Sequence, residues 1–265
     1  MKAQAYLKCC KNKKTSDIFL YKKKPKGENN FGIKEYKRSF KICKNCNHMF
    51  AYFDFDLKNL YNESYSKKAY GNLEKVLNIF NKIISLPSKK SDNKNRVKRC
   101  LSYLHKNHQI FDIGTGLGVF LYELKKRGYN VTGIEPDLNL FHHCKKILKT
   151  NIYNTDLKNF SKKIIGKYDF VSLNKVLEHI HSPDYFVKKI KKLLKPGGIF
   201  YIEVPDQIAA NISKNREELM IEHLHVFSKK SFSNLLKKNN FKVLKIDQIQ
   251  EPSGKYTIYG FFKNL

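Results

Sequence analysis

Residues 108–137, HQIFDIGTGLGVFLYELKKRGYNVTGIEPD, constrain this chain more than any other stretch. An apolar run enters a turn carrying Gly114, Gly116 and Gly118. A segment of helical length then closes on Gly128, and a second apolar run ends on Glu135. That order predicts a strand, a glycine turn, a helix and a parallel strand. The glycines let the backbone approach a ligand closely. A phosphate loop of the Walker type is excluded, because no Gly-Lys-Ser/Thr follows at the required spacing. A dinucleotide turn needs a third glycine where this chain has Val119, and it seldom has an acid where this chain has Asp112. With the pattern D-x-G-x-G-x-G the ligand need not carry a pyrophosphate. Asp112 would attract a cationic group, and the two oxygens of Glu135 would accept hydrogen bonds from ribose hydroxyls. A cofactor with an adenosine and an ammonium-bearing tail fits.

The alternation continues to the end of the chain. Strands are expected at QIFDI, NVTGIE, NIYNT, YDFVSLN, GIFYIEVP, FKVLKIDQI and KYTIYGFF. Helices are expected at GVFLYELKKRG, DLNLFHHCKKILK, PDYFVKKIKKLLKPGG and SKKSFSNLLKKNN. This is an α/β pattern with helices covering a largely parallel sheet. Residues 1–60 read differently. Short extended patterns such as DIFLYKK and SFKIC, separated by the turn signals PKGENN and CKNCNH, predict a small β-rich module. Residues 61–105 read as a helical linker. Leu73, Val76, Leu77, Phe80, Ile83 and Ile84 stand at helical spacing, Pro87 and a polar run end that helix, and RVKRCLSYLHK forms a second. The third region is 106–265.

The formal charge is +29, from 52 Lys plus Arg against 23 Asp plus Glu. Such an excess suits nucleic acid, an anionic surface or an anionic substrate. Nearly all of it is lysine, however, with arginine only at 38, 96, 99, 127 and 216. Abundant Lys, Asn and Ile are how an AT-rich genome biases composition, so nucleic-acid binding is not the favoured reading. No apolar run is long enough for a membrane helix, and the N-terminus MKAQAYLKCCKNKK lacks the apolar core of a secretory signal. A soluble, cytoplasmic protein is expected.

The stretch 106–206 resembles the class I S-adenosylmethionine-dependent methyltransferases. The resemblance rests on Asp112 with its glycines, Glu135 at the next strand end, VLEHI after the fourth strand and LKPGG before the fifth. It implies a Rossmann-like seven-stranded sheet with an antiparallel last strand, and S-adenosylmethionine as cofactor. Gly114, Thr115, Gly116 and Gly118 would line its methionine and ribose portions, with Asp112 near the amine. Glu135 would hold the ribose hydroxyls, Pro136 and Asp137 would lie beside the adenine, and Asp156 would meet the adenine amino group with Leu157 flanking. Asn174 would lie under the methionine carbons.

The segment EELMIEHLHVFSKKSF resembles an element of bacterial methyltransferases acting on sugars and surface-glycan precursors, some of which carry an N-terminal cysteine module. That resemblance implies His223 as base with Glu222 orienting it and His225 near the substrate; NLYNESY resembles a tyrosine-bearing segment of the same proteins, which implies Tyr65 near the substrate. Alternatively, the Glu-His pair is packing ahead of a helix capped by Ser228, and Tyr61 with Tyr65 is an aromatic packing stripe. Glu178 and His179 begin a polar turn and read as supporting residues. Cys43-x-x-Cys46 with His48 nearby has the spacing of a zinc knuckle. Zinc would take Cys43 and Cys46 with one or two of Cys9, Cys10 and His48, Cys10 being the first choice; a metal-free remnant is the alternative. Cys100 and Cys144 read as core thiols. The implied acceptor is a small molecule, a sugar or nucleotide-linked sugar. A quinone-type O-methyltransferase and an RNA methyltransferase are the competing functions.

Overall fold

The structure, a computed structural model, describes residues 2–3, 7, 14–28, 33, 35–53, 72–160 and 166–265. Strands β1 (Lys2–Ala3), β2 (Thr15–Tyr21), β3 (Arg38–Cys43) and β4 (Met49–Phe53) open the chain. Helices α1 (Leu73–Ser85) and α2 (Asp92–Cys100) follow. Then come β5 (Gln109–Ile113), α3 (Val119–Lys125), β6 (Asn130–Ile134), α4 (Leu138–Leu148), β7 (Ile152–Tyr153) and β8 (Tyr168–Asn174). The remainder is α5 (Pro183–Leu193), β9 (Leu194–Pro205), the single turn α6 (Ala209–Ile212), β10 (His225–Val226), α7 (Lys229–Lys238), β11 (Phe241–Gln250) and β12 (Tyr256–Asn264).

The large sheet has seven strands in the order β11-β12-β9-β8-β5-β6-β7, with the last strand of the chain antiparallel. β5 pairs in parallel with both β6 and β8, in the register Asp112↔Gly133 and Asp112↔Ser172. The small sheet is antiparallel, in the order β1-β4-β3-β2. β10 also pairs with β4, through His225↔Phe50 and Val226↔Met49. The N-terminal module is therefore completed by residues near position 225, which composition alone does not reveal.

By compactness the chain divides into two units. One gathers Met1–Leu60, Lys175–Lys188 and Ile202–Phe262; the other gathers Tyr61–Asn174, Lys189–Tyr201 and Lys263–Leu265. The first is centred on Tyr21, Phe40, Met49, Phe53, Leu219, Leu224 and Val226. Inside it Arg38, fully buried, pairs with Glu28 at 2.8 Å, and Glu28 also accepts the Ile221 N–H at 2.8 Å. A buried charge is tolerated only when paired in this way. In the second unit the buried residues of β5 and β8 form near-continuous apolar runs, as parallel strands covered on both faces require.

Local sequence explains most boundaries. Asn72 caps α1 by accepting the Lys75 N–H, and Ser91 caps α2 by accepting the Lys94 N–H. The Ser91 cap starts α2 inside the polar run that reads as a loop, several residues before RVKRC. Ser228 caps α7 in a reciprocal box with Ser231, as its position before the helix suggests.

Candidate functional site

The glycine turn follows β5, and its backbone is held by two bonds. The N–H groups of Gly114 and Thr115 both donate to the Ile134 carbonyl, at 2.9 and 3.1 Å. The glycines at 114, 116 and 118 all have positive φ, between 54° and 72°. Their jobs differ. A Cβ on Gly116 would meet nothing within 4 Å, so this residue faces open space. A Cβ on Gly118 would stand 2.9 Å from Cys144 Sγ and 3.3 Å from Ile147. Gly118 therefore lets α3 and α4 close on each other, a packing job beside the ligand-lining role expected of it. The same packing job falls to the third glycine of a dinucleotide turn. The Thr115 methyl lies over Gly133 and its hydroxyl stands 3.5 Å from Cys144 Sγ.

Asp112 is 2 % exposed at the end of β5. Its Oδ1 accepts from Ser172 Oγ at 2.5 Å and from Asn174 Nδ2 at 3.0 Å. Burial pushes its pKa up to about 7 against the pull of these donors and of Arg96. Among the described residues the buried Oδ1 of Asn174 has no hydrogen-bond partner. Glu135 accepts the Gly116 N–H at 2.7 Å on one oxygen and the Asp137 N–H at 3.0 Å on the other. Burial raises its pKa to about 7 as well, opposed by those two amides. A carboxylate has about four lone-pair sites, so two remain for hydroxyl donors.

Asp137 caps α4, accepting the N–H groups of Asn139 and Leu140 at 3.0 Å. The Pro136 carbonyl accepts from Asn154 Nδ2, which also reaches the Glu135 carbonyl. Asp156 is exposed and accepts the Asn159 N–H at 2.7 Å, while Leu157 is buried beside it. Sequence reasoning missed Ser172 and Asn154. Ser172 was findable: it stands two residues before Asn174 on a strand, hence on the same face.

Glu222, His223, His225, His48, Cys43 and Cys46 lie in the first unit. His223 is half-buried, and its Nδ1 stands 2.9 Å from the Glu218 carbonyl. The group orienting that nitrogen is thus Glu218 by its backbone, and not the Glu222 carboxylate. Glu222 instead presents its carbonyl to His179 Nδ1 at 2.8 Å. Burial holds the His223 pKa well below the usual imidazole range, helped by the charges of His179, Lys175 and Lys255. His223 is neutral at working pH.

His225 is fully buried. Its Nε2 faces the Ile180 carbonyl at 3.1 Å, which fixes a proton there and leaves Nδ1 to accept from His48 Nε2 at 2.8 Å. His48 Nδ1 then lies 3.3 Å from Ser231 Oγ. Burial lowers both pKa values, that of His225 to about 3. Both nitrogens of His225 are spent, so it has no surface for substrate; it joins β10 to β4.

His48 is likewise spent, which removes it from any zinc set. Cys43 and Cys46 are buried, and among the described residues no metal-binding group of three or more includes them. Two thiols do not by themselves make a tetrahedral zinc site. Cys9, Cys10, Tyr61 and Tyr65 lie outside the described residues. Cys100 and Cys144 are fully buried, as core thiols are.

A parallel sheet with a glycine turn at the end of one strand and an acid at the end of the next defines a nucleoside-cofactor domain. Residues 88–246 match the family described as Methyltransferase domain, and the chain belongs to that family. Among curated proteins it is similar to the ubiquinone biosynthesis O-methyltransferases of Pelagibacter ubique (31 % identical over 100 residues, 37 % of this chain and 42 % of that protein) and Escherichia fergusonii (28 % over 95 residues, 34 % and 40 %). The match thus spans about two fifths of those relatives' length. Among solved structures it shares its fold with 1,6-didemethyltoxoflavin-N1-methyltransferase of Burkholderia thailandensis, bound to 1,6-didemethyltoxoflavin and S-adenosylhomocysteine (14 % identical, 83 % of this chain and 97 % of that one, TM-score 0.56). A SAM-dependent methyltransferase of Aquifex aeolicus shares it too (17 %, 73 % and 99 %, TM-score 0.52). S-adenosylmethionine suits the residues present: Gly116 faces space a side chain would fill, and Asn174 Oδ1 is a buried acceptor lacking a donor. Among the described residues no helix is long and apolar enough to cross a membrane.

Proposed function

We propose that this chain transfers a methyl group from S-adenosylmethionine to a hydroxyl of a small polar acceptor, a sugar or nucleotide-linked sugar. The carrying observation is the pairing of Asp112 with Asn174 at one strand end and Glu135 with Gly116 at the next. Glu135 holds the ribose hydroxyls. Asp112 and the orphan oxygen of Asn174 hold the amine. Backbone at Gly114, Thr115 and Gly116 lies against the tail, and Asp156 with Leu157 meets the adenine, next to Pro136 and Asp137. The cofactor supplies a methyl already activated on a sulfonium, so the protein's work is alignment and exclusion of water. A hydroxyl acceptor also needs its proton removed. His223 is suited to take it, because the Glu218 carbonyl fixes the proton of the neutral ring on Nδ1 and leaves a lone pair on Nε2. The lysine excess would not hinder an acceptor bearing a diphosphate.

A second reading, methylation of a phenolic quinone precursor, is supported by the names of the curated relatives. The shared stretch covers little more than a third of this chain, so it bears on the cofactor domain more than on the acceptor. The test is transfer of labelled methyl to nucleoside-diphosphate sugars and, separately, to a polyprenyl catechol. Labelled sugar product supports the proposal; labelled catechol alone replaces it. In the productive assay His223→Ala should lower kcat by about 10²–10⁴ with S-adenosylmethionine affinity unchanged. Unchanged kcat removes His223 from the mechanism.

A further inference from the structure

Glu178, His179 and His223 converge within the first unit. One donor atom from each lies within 4.8 Å of the other two, and the two rings stand 5.0 Å apart. The Nδ1 atoms of His179 and His223 face the carbonyls of Glu222 and Glu218 at 2.8 and 2.9 Å. A carbonyl only accepts, so each Nδ1 carries the proton and each lone pair sits on Nε2. Metal-binding imidazoles are oriented by hydrogen bonds of this kind. Independently, Glu178 is 1 % exposed and among the described residues its Oε2 has no hydrogen-bond partner. An unpartnered buried carboxylate oxygen costs free energy that an unused ligand position would explain.

We infer that Glu178, His179 and His223 form a site for one divalent transition-metal cation, with two imidazole nitrogens and one carboxylate oxygen as ligands. Such a set suits Zn²⁺, Co²⁺, Fe²⁺ or Mn²⁺ better than the all-oxygen cations. Ligand atoms around a four-coordinate ion of this size stand roughly 3.4 Å apart, and small side-chain rotations close the difference. Buried Glu203 adds negative charge near Glu178. Lys175, whose Nζ donates to Thr257 Oγ1 at 2.6 Å, acts on both Glu178 and His223 and opposes the cation. The inference goes beyond the proposed reaction and bears on it. A His223 lone pair spent on a cation takes no proton; an acceptor hydroxyl would then lose its proton to solvent after coordination to the ion.

The probe is Co²⁺, added to the chelator-treated full chain without cofactor or acceptor and followed by visible absorption and calorimetry. The expected result is one Co²⁺ per chain, with ligand-field bands and no thiolate charge-transfer band. His179→Ala, His223→Gln and Glu178→Gln should each weaken binding at least tenfold, while Cys43→Ser with Cys46→Ser leaves it unchanged. S-adenosylmethionine affinity and thermal melting identify variants that fold, and only those are scored. His179, half-buried, supplies a second test should His223→Gln fail to fold. Absence of saturable binding at millimolar Co²⁺, full binding in folded His179→Ala, or loss in the cysteine variant overturns the inference. Because the readout needs no methyl transfer, failure of the proposed reaction and failure of this site are separate results.

Discussion

Asp112 and Glu135 are both raised to about 7 by burial, and in the unliganded protein each is about half protonated at neutral pH. The proposed binding mode needs both ionised, Asp112 against an amine and Glu135 against two hydroxyls. Cofactor binding must therefore expel protons. For pKa values of about 7, each carboxyl is roughly 0.75 protonated at pH 6.5 and roughly 0.25 at pH 7.5. Binding should release about 1.5 protons at the lower pH and about 0.5 at the higher. Affinity follows the product of the ionised fractions, so it should rise roughly 70-fold between pH 6.0 and 7.5 and flatten above. The assay is calorimetry with S-adenosylhomocysteine in buffers of differing ionisation heat. Glu135→Gln and Asp112→Asn should each remove about half of the released protons. Glu135→Ala should weaken binding by roughly 1–3 kcal/mol through lost charge-assisted hydrogen bonds. Release below about 0.3 protons at pH 6.5, or full release in either variant, would refute the assignment of these carboxyls to the cofactor.

The same linkage acts on stability. Folded carboxyls with raised pKa keep protons that the unfolded chain has lost, so their contribution is present below about pH 4 and is lost as pH rises through about 7. Bound cofactor should restore it, so the gain in melting temperature per saturating ligand should grow from pH 6 to 7.5; a flat gain speaks against the linkage. Ser172→Ala removes a donor to the ionised Asp112 and should move the affinity profile to higher pH, an unmoved profile showing that the 2.5 Å bond has no such role. Gly118→Ala forces a Cβ at positive φ to within 2.9 Å of Cys144 Sγ and should cost about 1–3 kcal/mol in denaturant melts, with Cys144→Ala recovering part. His225→Ala leaves the His48 Nε2 donor buried without an acceptor and should cost about 1–3 kcal/mol while cofactor affinity stays unchanged; a shift in affinity would tie this pair to binding.

Much of the cofactor domain was legible in the sequence because its signals are local. The runs at 109–113 and 168–174 are strands as read, and Gly128 closes its helical segment with a φ of 77°. Asp112 and Glu135 stand at strand ends by counting alone. What sequence could not show was side-chain direction across long separations. His48 stands five residues after Cys43 and so reads as a metal ligand, yet its ring turns to His225, 177 positions away. Glu222 precedes His223 and so reads as its partner. The residue before a histidine in a turn seldom reaches its ring, whereas a carbonyl five residues back can, and Glu218 does.

The motif D-x-G-x-G-x-G shows the limit most clearly, because one residue type serves distinct ends within five positions. All three glycines adopt positive φ, so conformation does not separate them. The space in front of each Cα does. Beside Gly116 there is room for a ligand; beside Gly118 there is the sulfur of Cys144, which also donates to the Gly116 carbonyl at 3.1 Å. The thiol that reads as ordinary core filling from its helical spacing thus supports the turn from beneath. Packing of α4 under the turn and exposure of the turn to a cofactor are two faces of one arrangement. A change at Cys144 or Gly118 should therefore alter cofactor affinity through the position of Gly116, with no contact to the cofactor of its own.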